Sequence, residues 1–242
     1  EIDLAKLTAQ TITETTEEDN PQELSDSAIS VTPSIISVHT VVTDRTARNI
    51  SKNVFAKVGS LGQHAIERQK DKDGLTVLDG ATTALCGAGT TLTAGHIAAA
   101  AYRIRGNTSE PWDGPVAFVL HSFQMKDLFD QLVAGVGTYD ISSGVTADVF
   151  KNSFNLPIAN AQAHVDDNIS IDSADDAIGG VFASGANGAI ILVQARMPWV
   201  KTIRNEKLGG GATEVLHRDE YAYGERSAGN WLYEIISDAT AP

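Results

Sequence analysis

The feature that most constrains the fold is residues 44–80, which have the pattern of one unusually long helix. Their apolar side chains recur at a spacing of three or four residues. They are Ile50, Val54, Val58, Leu61, Ala65 and Ile66. This spacing predicts a single buried stripe on an α-helix. Asp44 can act as the N-cap acceptor, and Gly80 is a typical stop.

A helix of this length needs an equally long surface to pack on. It would span roughly 50 Å, whereas the mean helix of globular domains has about 11 residues. Gly59, Gly62 and Gly74 each weaken it by up to about 1 kcal/mol, so close packing must offset that loss. We expect an aspartate at Val54 or Leu61 to prevent folding, because it would bury an unpaired charge. The alternative is an ordinary long helix of an α+β domain, broken at Gly74.

The segment before the helix is acidic and rich in threonine. Residues 1–28 contain many carboxylates and one basic residue, Lys6. Asp19, Asn20 and Pro21 form a strong turn signal, and the β-branched residues 29–43 predict a strand. These features favour a hairpin-like arm that leads into the helix, with a frayed acidic N-terminus as the alternative.

The rest of the chain alternates between helical and strand patterns. Helices are predicted at 94–104, with Thr93 as N-cap, and at 124–133. Strands are predicted at 115–120, 180–183, 189–193, 198–206, 212–222 and 231–236. Residues 135–163 show no clear pattern, and 166–176 read as an acidic loop.

Composition excludes several classes of protein. The net charge of −13 argues against a protein whose main surface grips nucleic-acid phosphates. A single cysteine, Cys86, excludes an internal disulfide and a cysteine-rich zinc site. No apolar run approaches the roughly 18 residues of a membrane span, so we expect no membrane partner.

Templates for catalysis and cofactor binding are not met. No P-loop, H-E-x-x-H, G-x-S-x-G or C-x-x-C pattern occurs, and residues 87–92 lack the third glycine of a dinucleotide loop. The six histidines have no ligand spacing. The aspartates at 166–176 lack the order of an EF-hand loop, and Cys86 has no base near it in sequence. We therefore predict no catalytic residues, no cofactor-binding residues, no metal site and no enzymatic activity.

The order of elements resembles the major capsid proteins of tailed bacteriophages with the Hong Kong 97-type fold. The stretches that carry the resemblance are VVTDRTARNI with VFAKVGSLGQHAIERQKDKDGLTVLDG, PVAFVLHSFQMKDLFDQL, GAIILVQARMPWVKTIRNEK and YAYGERSAGNWLYEIISDA. The resemblance implies an α+β fold with three parts. They are an N-terminal arm and extended β loop at 1–43, a peripheral domain with a long spine helix at 44–80 and 196–226, and an α/β apical domain at 81–195 and 227–242.

The same resemblance implies a structural role. The chain would be a viral major capsid protein that self-assembles, as hexamers and pentamers, into the icosahedral capsid of a bacteriophage virion. That shell would assemble in the host cytoplasm and enclose double-stranded DNA without sequence-specific binding, with cement or portal proteins as further partners. The family also implies a segment before the arm, which we expect to be cleaved off or to lie outside this sequence. In some relatives an arm lysine is joined to a neighbour's asparagine; Lys6 and Asn20 are the candidates of those types, and we do not predict that reaction.

Three other functions stay open at this stage. The least favoured is a cement or adhesive structural protein, because the long helix would serve no purpose there. An encapsulin-type compartment shares the fold and encloses protein cargo, and nothing in the sequence separates it from a capsid. A small α/β enzyme, with acids assembled from distant positions, is an alternative of a different class.

Overall fold

The structure is a computed structural model that describes residues 2–4, 11, 26–49, 53–108, 110–136, 157–208, 210–227 and 229–241. The chain divides into two compact units. The smaller unit is formed by Val31–Val77 and Ile191–Gly224. The larger unit is formed by Glu1–Ser30, Leu78–Ile190 and Glu225–Pro242.

The smaller unit is a three-stranded sheet with a long helix on one face. The strands are β3 (Ser34–Thr43), β8 (Ile190–Asn205) and β9 (Ala212–Glu225), in the order β3-β9-β8. β3 runs antiparallel to β9, with Val38 opposite His217. Two helices follow β3: the short α1 (Asp44–Asn49) and the 26-residue α2 (Val54–Asp79). Alternate β9 residues are buried, because α2 covers the face that they share.

The long helical stretch is therefore described as two helices, with residues 50–52 outside the described ranges. The predicted stripe is right at Ile66, which is 5% exposed, and wrong at Leu61, which is 70% exposed. Val54 and Val58 are half-buried and Ala65 is exposed. From Val58 the buried line continues one helical turn later, at Gly62. Since glycine has no side chain, the hydrophobic pattern gave no sign of that step.

The larger unit contains a five-stranded mixed sheet in the order β4-β10-β7-β5-β6. Its strands are β4 (Ala84–Cys86), β5 (Val116–Leu120), β6 (Ala161–Val165), β7 (Asp176–Ala183) and β10 (Leu232–Asp238). The β5–β6 and β4–β10 pairs are parallel, and β7 is antiparallel to both β5 and β10. The helices α3 (Ala94–Arg105) and α4 (Ser122–Val136) complete its core, with Ile97, Ile104, Phe118, Leu128 and Ile235 fully buried.

Most predicted elements of the larger unit are present. α3 starts after Thr93 as expected, and the Thr93 backbone N–H donates to His96 Nδ1 at 3.3 Å. α4 is longer than the predicted 124–133. β4 and β6 were not predicted, and the two strands expected at 189–193 and 198–206 are one continuous strand, β8.

Little of the predicted arm can be compared with the structure. β1 (Ile2–Leu4) pairs antiparallel with β2 (Asp26–Ala28), and β3 begins at Ser34, later than the predicted 29. The predicted turn at Asp19, Asn20 and Pro21 lies outside the described residues, as do Lys6 and Asn20 as crosslinking candidates. No helix in the described part of the chain is long and apolar enough to cross a membrane.

Candidate interaction surface

The histidines serve separate local roles. His39 contacts Glu214 at 3.2 Å, and His64 contacts Ser60 at 3.3 Å. His121 Nδ1 accepts the Phe123 backbone N–H at 3.2 Å. His164 lies on the surface. Within the described ranges, no group of three or more histidine, cysteine, aspartate or glutamate residues could hold a metal ion.

The acidic loop uses its carboxylates on its own backbone. Asp166 Oδ1 accepts the Asn168 N–H at 2.8 Å. Asp172 Oδ1 accepts the N–H groups of Ala174 and Asp176 at 2.8 and 2.9 Å. These bonds are turn-forming side-chain caps, which is the typical role of aspartate in loops. Cys86 is half-buried, and burial raises the pKa of its thiol, so little reactive thiolate forms at neutral pH.

A concave feature lies in the smaller unit, between α2 and the strands β8 and β9. We call it the α2–β8 cleft. It has a volume of about 750 Å³. Its apolar lining consists of Phe55, Ile66, Pro198, Trp199, Val200 and Val215. A cleft of this size and apolar character is typical of sites that bury a ligand or a partner's side chains.

On one side of the cleft, polar side chains of α2 form hydrogen bonds with side chains of the sheet. Lys70 Nζ donates to Gln194 Oε1 at 2.5 Å and lies 3.3 Å from Asp219 Oδ2. Gln194 also donates to Asp219, which is fully buried. One turn further along α2, Asp73 accepts the Tyr221 hydroxyl at 2.8 Å. Burial, followed by that bond to Asp73, raises the pKa of Tyr221. These contacts fix α2 on the sheet beside the cleft.

His217 is the exceptional polar group of this surface. It lies on β9, is 3% exposed, and neither ring nitrogen has a hydrogen-bond partner. Its ring packs directly on α2 at Gly62, where an added Cβ would lie 2.4 Å from Nδ1 and Cε1. A buried polar group without a partner costs about 1–3 kcal/mol, so its presence beside an open cleft needs an explanation.

The open end of the cleft is apolar, and the charged residues that line the cleft are of both signs, Lys70 and Arg218 with Glu67 and Asp219. Phe55 and Val200 line it and are 47% and 59% exposed. The Arg196 guanidinium stacks 3.9 Å from the centre of the Trp199 ring. Arg218 also lines the cleft, and it has no ion-pair partner among the described residues. Exposed apolar side chains beside unpaired charge are typical of a protein–protein contact surface.

A second charged contact lies at the end of β8 and joins it to the start of α1. Arg204 donates to both carboxylate oxygens of Asp44, at 2.6 and 2.5 Å, and to Glu206 at 2.6 Å. The hydrogen bond to Arg204 lowers the pKa of Asp44. The contact ties the start of α1 to the end of β8. The sequence did not indicate it, because Asp44 and Arg204 lie 160 residues apart.

Comparison with known proteins identifies the fold. No protein-family model and no curated protein matches the sequence. A chain from the head of Helicobacter pylori bacteriophage KHP40 aligns with a TM-score of 0.73 at 12% identity, covering 99% of this chain and 84% of that one. The capsid asymmetric unit of cyanophage Pam1 gives 0.71 at 11% identity, covering 100% and 84%. An encapsulin, SrpI of Synechococcus elongatus PCC 7942, gives 0.61 at 11% identity, covering 92% and 78%.

The likeness extends along nearly the whole chain, so it concerns the architecture and not one motif. At these identities it establishes the fold alone. The predicted α+β class is confirmed, and so is the resemblance to tailed-phage capsid proteins at the level of the fold: this chain has the fold of bacteriophage capsid subunits.

Proposed function

We propose that this chain is the major capsid protein of a tailed bacteriophage, which self-assembles into an icosahedral shell around double-stranded DNA. The observation that carries the proposal is the fold, shared with phage head subunits over 99–100% of the chain. The open, partly charged cleft of the smaller unit supports it, because an assembling subunit needs such surfaces for its neighbours.

The parts of the subunit follow from this proposal. α2 acts as the spine helix of a peripheral domain at 44–80 and 196–226. The larger sheet belongs to an apical domain at 81–195 and 227–242, and residues 1–43 form the arm and extended loop. Hexamers and pentamers build the shell in the host cytoplasm, with cement or portal proteins as additional partners. No catalytic residue or cofactor has a role in this function.

Electron microscopy of the purified protein tests the proposal. We expect closed, uniform shells after expression in a bacterial host. Particles from infected cells should protect phage-length DNA from added nuclease. Discrete small oligomers at every concentration and salt condition would contradict the capsid role.

An encapsulin-type compartment is the second candidate, because an encapsulin shares the fold at a TM-score of 0.61. The two functions differ in what the particles contain. Shells with a stoichiometric protein cargo and no nuclease-resistant DNA would favour the compartment. Protected DNA without such a cargo would favour the capsid.

Deletion of residues 1–28 tests the proposed arm. We expect the truncated subunit to keep normal helix content and to lose assembly, because a threonine-rich acidic segment buries little within its own subunit and would pair with a neighbour. Circular dichroism and sedimentation velocity measure the two properties. Unfolding would assign the segment to its own subunit's core, and normal assembly would make it a dispensable tail.

A further inference from the structure

Three polar side chains, one each from α2, β8 and β9, meet beside the cleft in an arrangement that the shell function does not use. Lys70 Nζ on α2 donates to Gln194 Oε1 on β8 at 2.5 Å and to Asp219 Oδ2 on β9 at 3.3 Å. The side-chain amide of Gln194 donates in turn to Asp219 Oδ1. One carboxylate therefore contacts both the amine and the nitrogen of the carboxamide whose oxygen binds that amine.

The surroundings of this cluster make charge costly. Asp219 is fully buried, and the Lys70 side chain is only 21% exposed. A proton that moves from Lys70 Nζ to Asp219 Oδ2, along the 3.3 Å contact, replaces two charges in this buried place with none. It leaves a neutral amine, which is the nucleophilic form of lysine.

The carboxamide that the amine would attack is held firmly. Besides its bond to Asp219, Gln194 Nε2 donates to the Arg196 backbone carbonyl at 2.9 Å. Both N–H groups of the amide and its oxygen thus have partners. The nitrogen that would leave on attack by Lys70 already lies against the carboxyl group that can protonate it.

We propose that Lys70 and Gln194 join in an amide bond, which ties α2 to β8 within one subunit. Asp219 first accepts a proton from the Lys70 ammonium group. Nζ then attacks Gln194 Cδ, a C–N bond forms, and Asp219 passes its proton to Nε2. As the Cδ–Nε2 bond breaks, ammonia leaves and takes up the second proton of Nζ as ammonium. The new bond joins residues 124 positions apart, so it restricts the unfolded chain.

The intact mass of the purified wild-type subunit tests the proposal directly. We expect the folded protein to be lighter than its sequence predicts by one ammonia, and proteolysis to release a linked pair of peptides that contains residues 70 and 194. A mass equal to that of the sequence, after long incubation of the folded protein, would overturn the proposal. Loss of ammonia at another place, such as a succinimide at Asn187 and Gly188, would overturn it too.

Substitution at Lys70 tests the nucleophile. Lys70→Arg keeps a positive charge beside Asp219, but its guanidinium stays protonated and cannot form the amide. This variant should keep the full mass and normal helix content by circular dichroism. Lys72→Arg makes the same change at an exposed α2 position outside the cluster, so it should lose ammonia like wild type. The wild-type mass loss in folded Lys70→Arg would refute the assigned bond.

Substitution at Asp219 tests the proton carrier. Asp219→Asn keeps the amine and the carboxamide but cannot accept the proton, so it should slow the loss of ammonia by about a hundredfold or more. An unchanged rate would refute the role of Asp219. If this variant does not fold, the wild-type mass and Lys70→Arg still decide whether the bond forms.

Isotope mixing distinguishes a bond within one subunit from a crosslink between copies. When ¹⁵N-labelled and unlabelled protein are mixed before incubation, both peptides of each linked pair should carry the same label. The bonded protein should also migrate as a monomer on a denaturing gel. Mixed-label pairs or covalent dimers would overturn the proposal. Because the bond lies within the subunit, these results do not depend on whether shells form.

Discussion

Two glycines three residues apart in α2 should respond to alanine in opposite directions. Gly59 and Gly62 lie in the same helix, and alanine is worth up to about 1 kcal/mol more than glycine at either position. A Cβ at Gly59 meets open space. A Cβ at Gly62 would lie 2.4 Å from two atoms of the His217 ring. Non-bonded carbon atoms prefer about 3.5–4.0 Å, so the overlap exceeds roughly 1 Å.

The magnitudes follow from these distances. Gly59→Ala should raise the free energy of unfolding by about 0.5–1 kcal/mol, since it gains helix propensity without a clash. Gly62→Ala gains the same helix propensity, but overpacking against the buried His217 ring should lower the free energy of unfolding by about 3 kcal/mol, because the ring is held between α2 and β9. Its net effect should be a loss of about 2 kcal/mol. For a chain of this size, these changes correspond to Tm shifts of about +1 to +4 °C and −4 to −8 °C.

Thermal and urea denaturation of unassembled subunits, followed by far-UV circular dichroism, measures both effects. A double-mutant cycle gives the control: with His217→Ala in place, Gly62→Ala should no longer destabilise, so the coupling energy should be about 2–3 kcal/mol. If Gly62→Ala stabilises the wild-type subunit as much as Gly59→Ala does, α2 does not pack on His217 as described.

Two further predictions concern the helix stripe and the larger sheet. Leu61→Asp should change the free energy of unfolding by less than about 0.5 kcal/mol, because Leu61 is 70% exposed. Ile66→Asp, at a 5% exposed position, should cost more than about 4 kcal/mol or prevent folding. If urea denaturation gave the reverse order, the stripe predicted from the sequence would be right after all. Burial, with the charge of Asp79 as a second cause, raises the pKa of Glu234. The folded state therefore binds this proton more tightly than the unfolded state does. Stability should fall as the pH rises from the usual glutamate pKa of about 4.3 through the raised pKa. Glu234→Gln should therefore stabilise the protein at pH 7 and reduce that fall, while an unchanged pH profile of unfolding would show that Glu234 does not cause it.

The sequence predicted those elements whose pattern is local. α3 has a capping threonine before an apolar repeat, and β5 is a continuous apolar run, so both were found close to their observed bounds. β4 and β6 were missed for a physical reason. β4 has only three residues and β6 contains Gln162 and His164, so each is a strand because neighbouring strands pair with it, not because of its own pattern.

The cleft could not be predicted because its parts come from three distant segments. Phe55, Val200 and His217 are brought together only when α2 packs on β8 and β9. In sequence, His217 is one of six histidines without ligand spacing, and its lack of a hydrogen-bond partner is a property of packing alone. The face of α2 that packs on the sheet was also hard to predict. Gly62 lies on that face against His217, and a glycine adds no side chain to the hydrophobic pattern.

The net charge of the whole chain is a poor guide to how its copies interact. At −13, two copies repel each other at long range, and that repulsion is what the total predicts. The smaller unit has 12 lysines and arginines against 8 aspartates and glutamates, so at +4 it reverses the sign locally, and a copy that approaches with its larger unit is attracted to it. Salt screens exposed charges beyond about 8 Å at physiological ionic strength, so moderate salt should remove the long-range repulsion and spare close pairs. Higher salt should then weaken those pairs where they remain exposed to water. Assembly of a subunit with this charge distribution should therefore be strongest at intermediate ionic strength, whereas a uniformly acidic subunit would assemble better with each addition of salt.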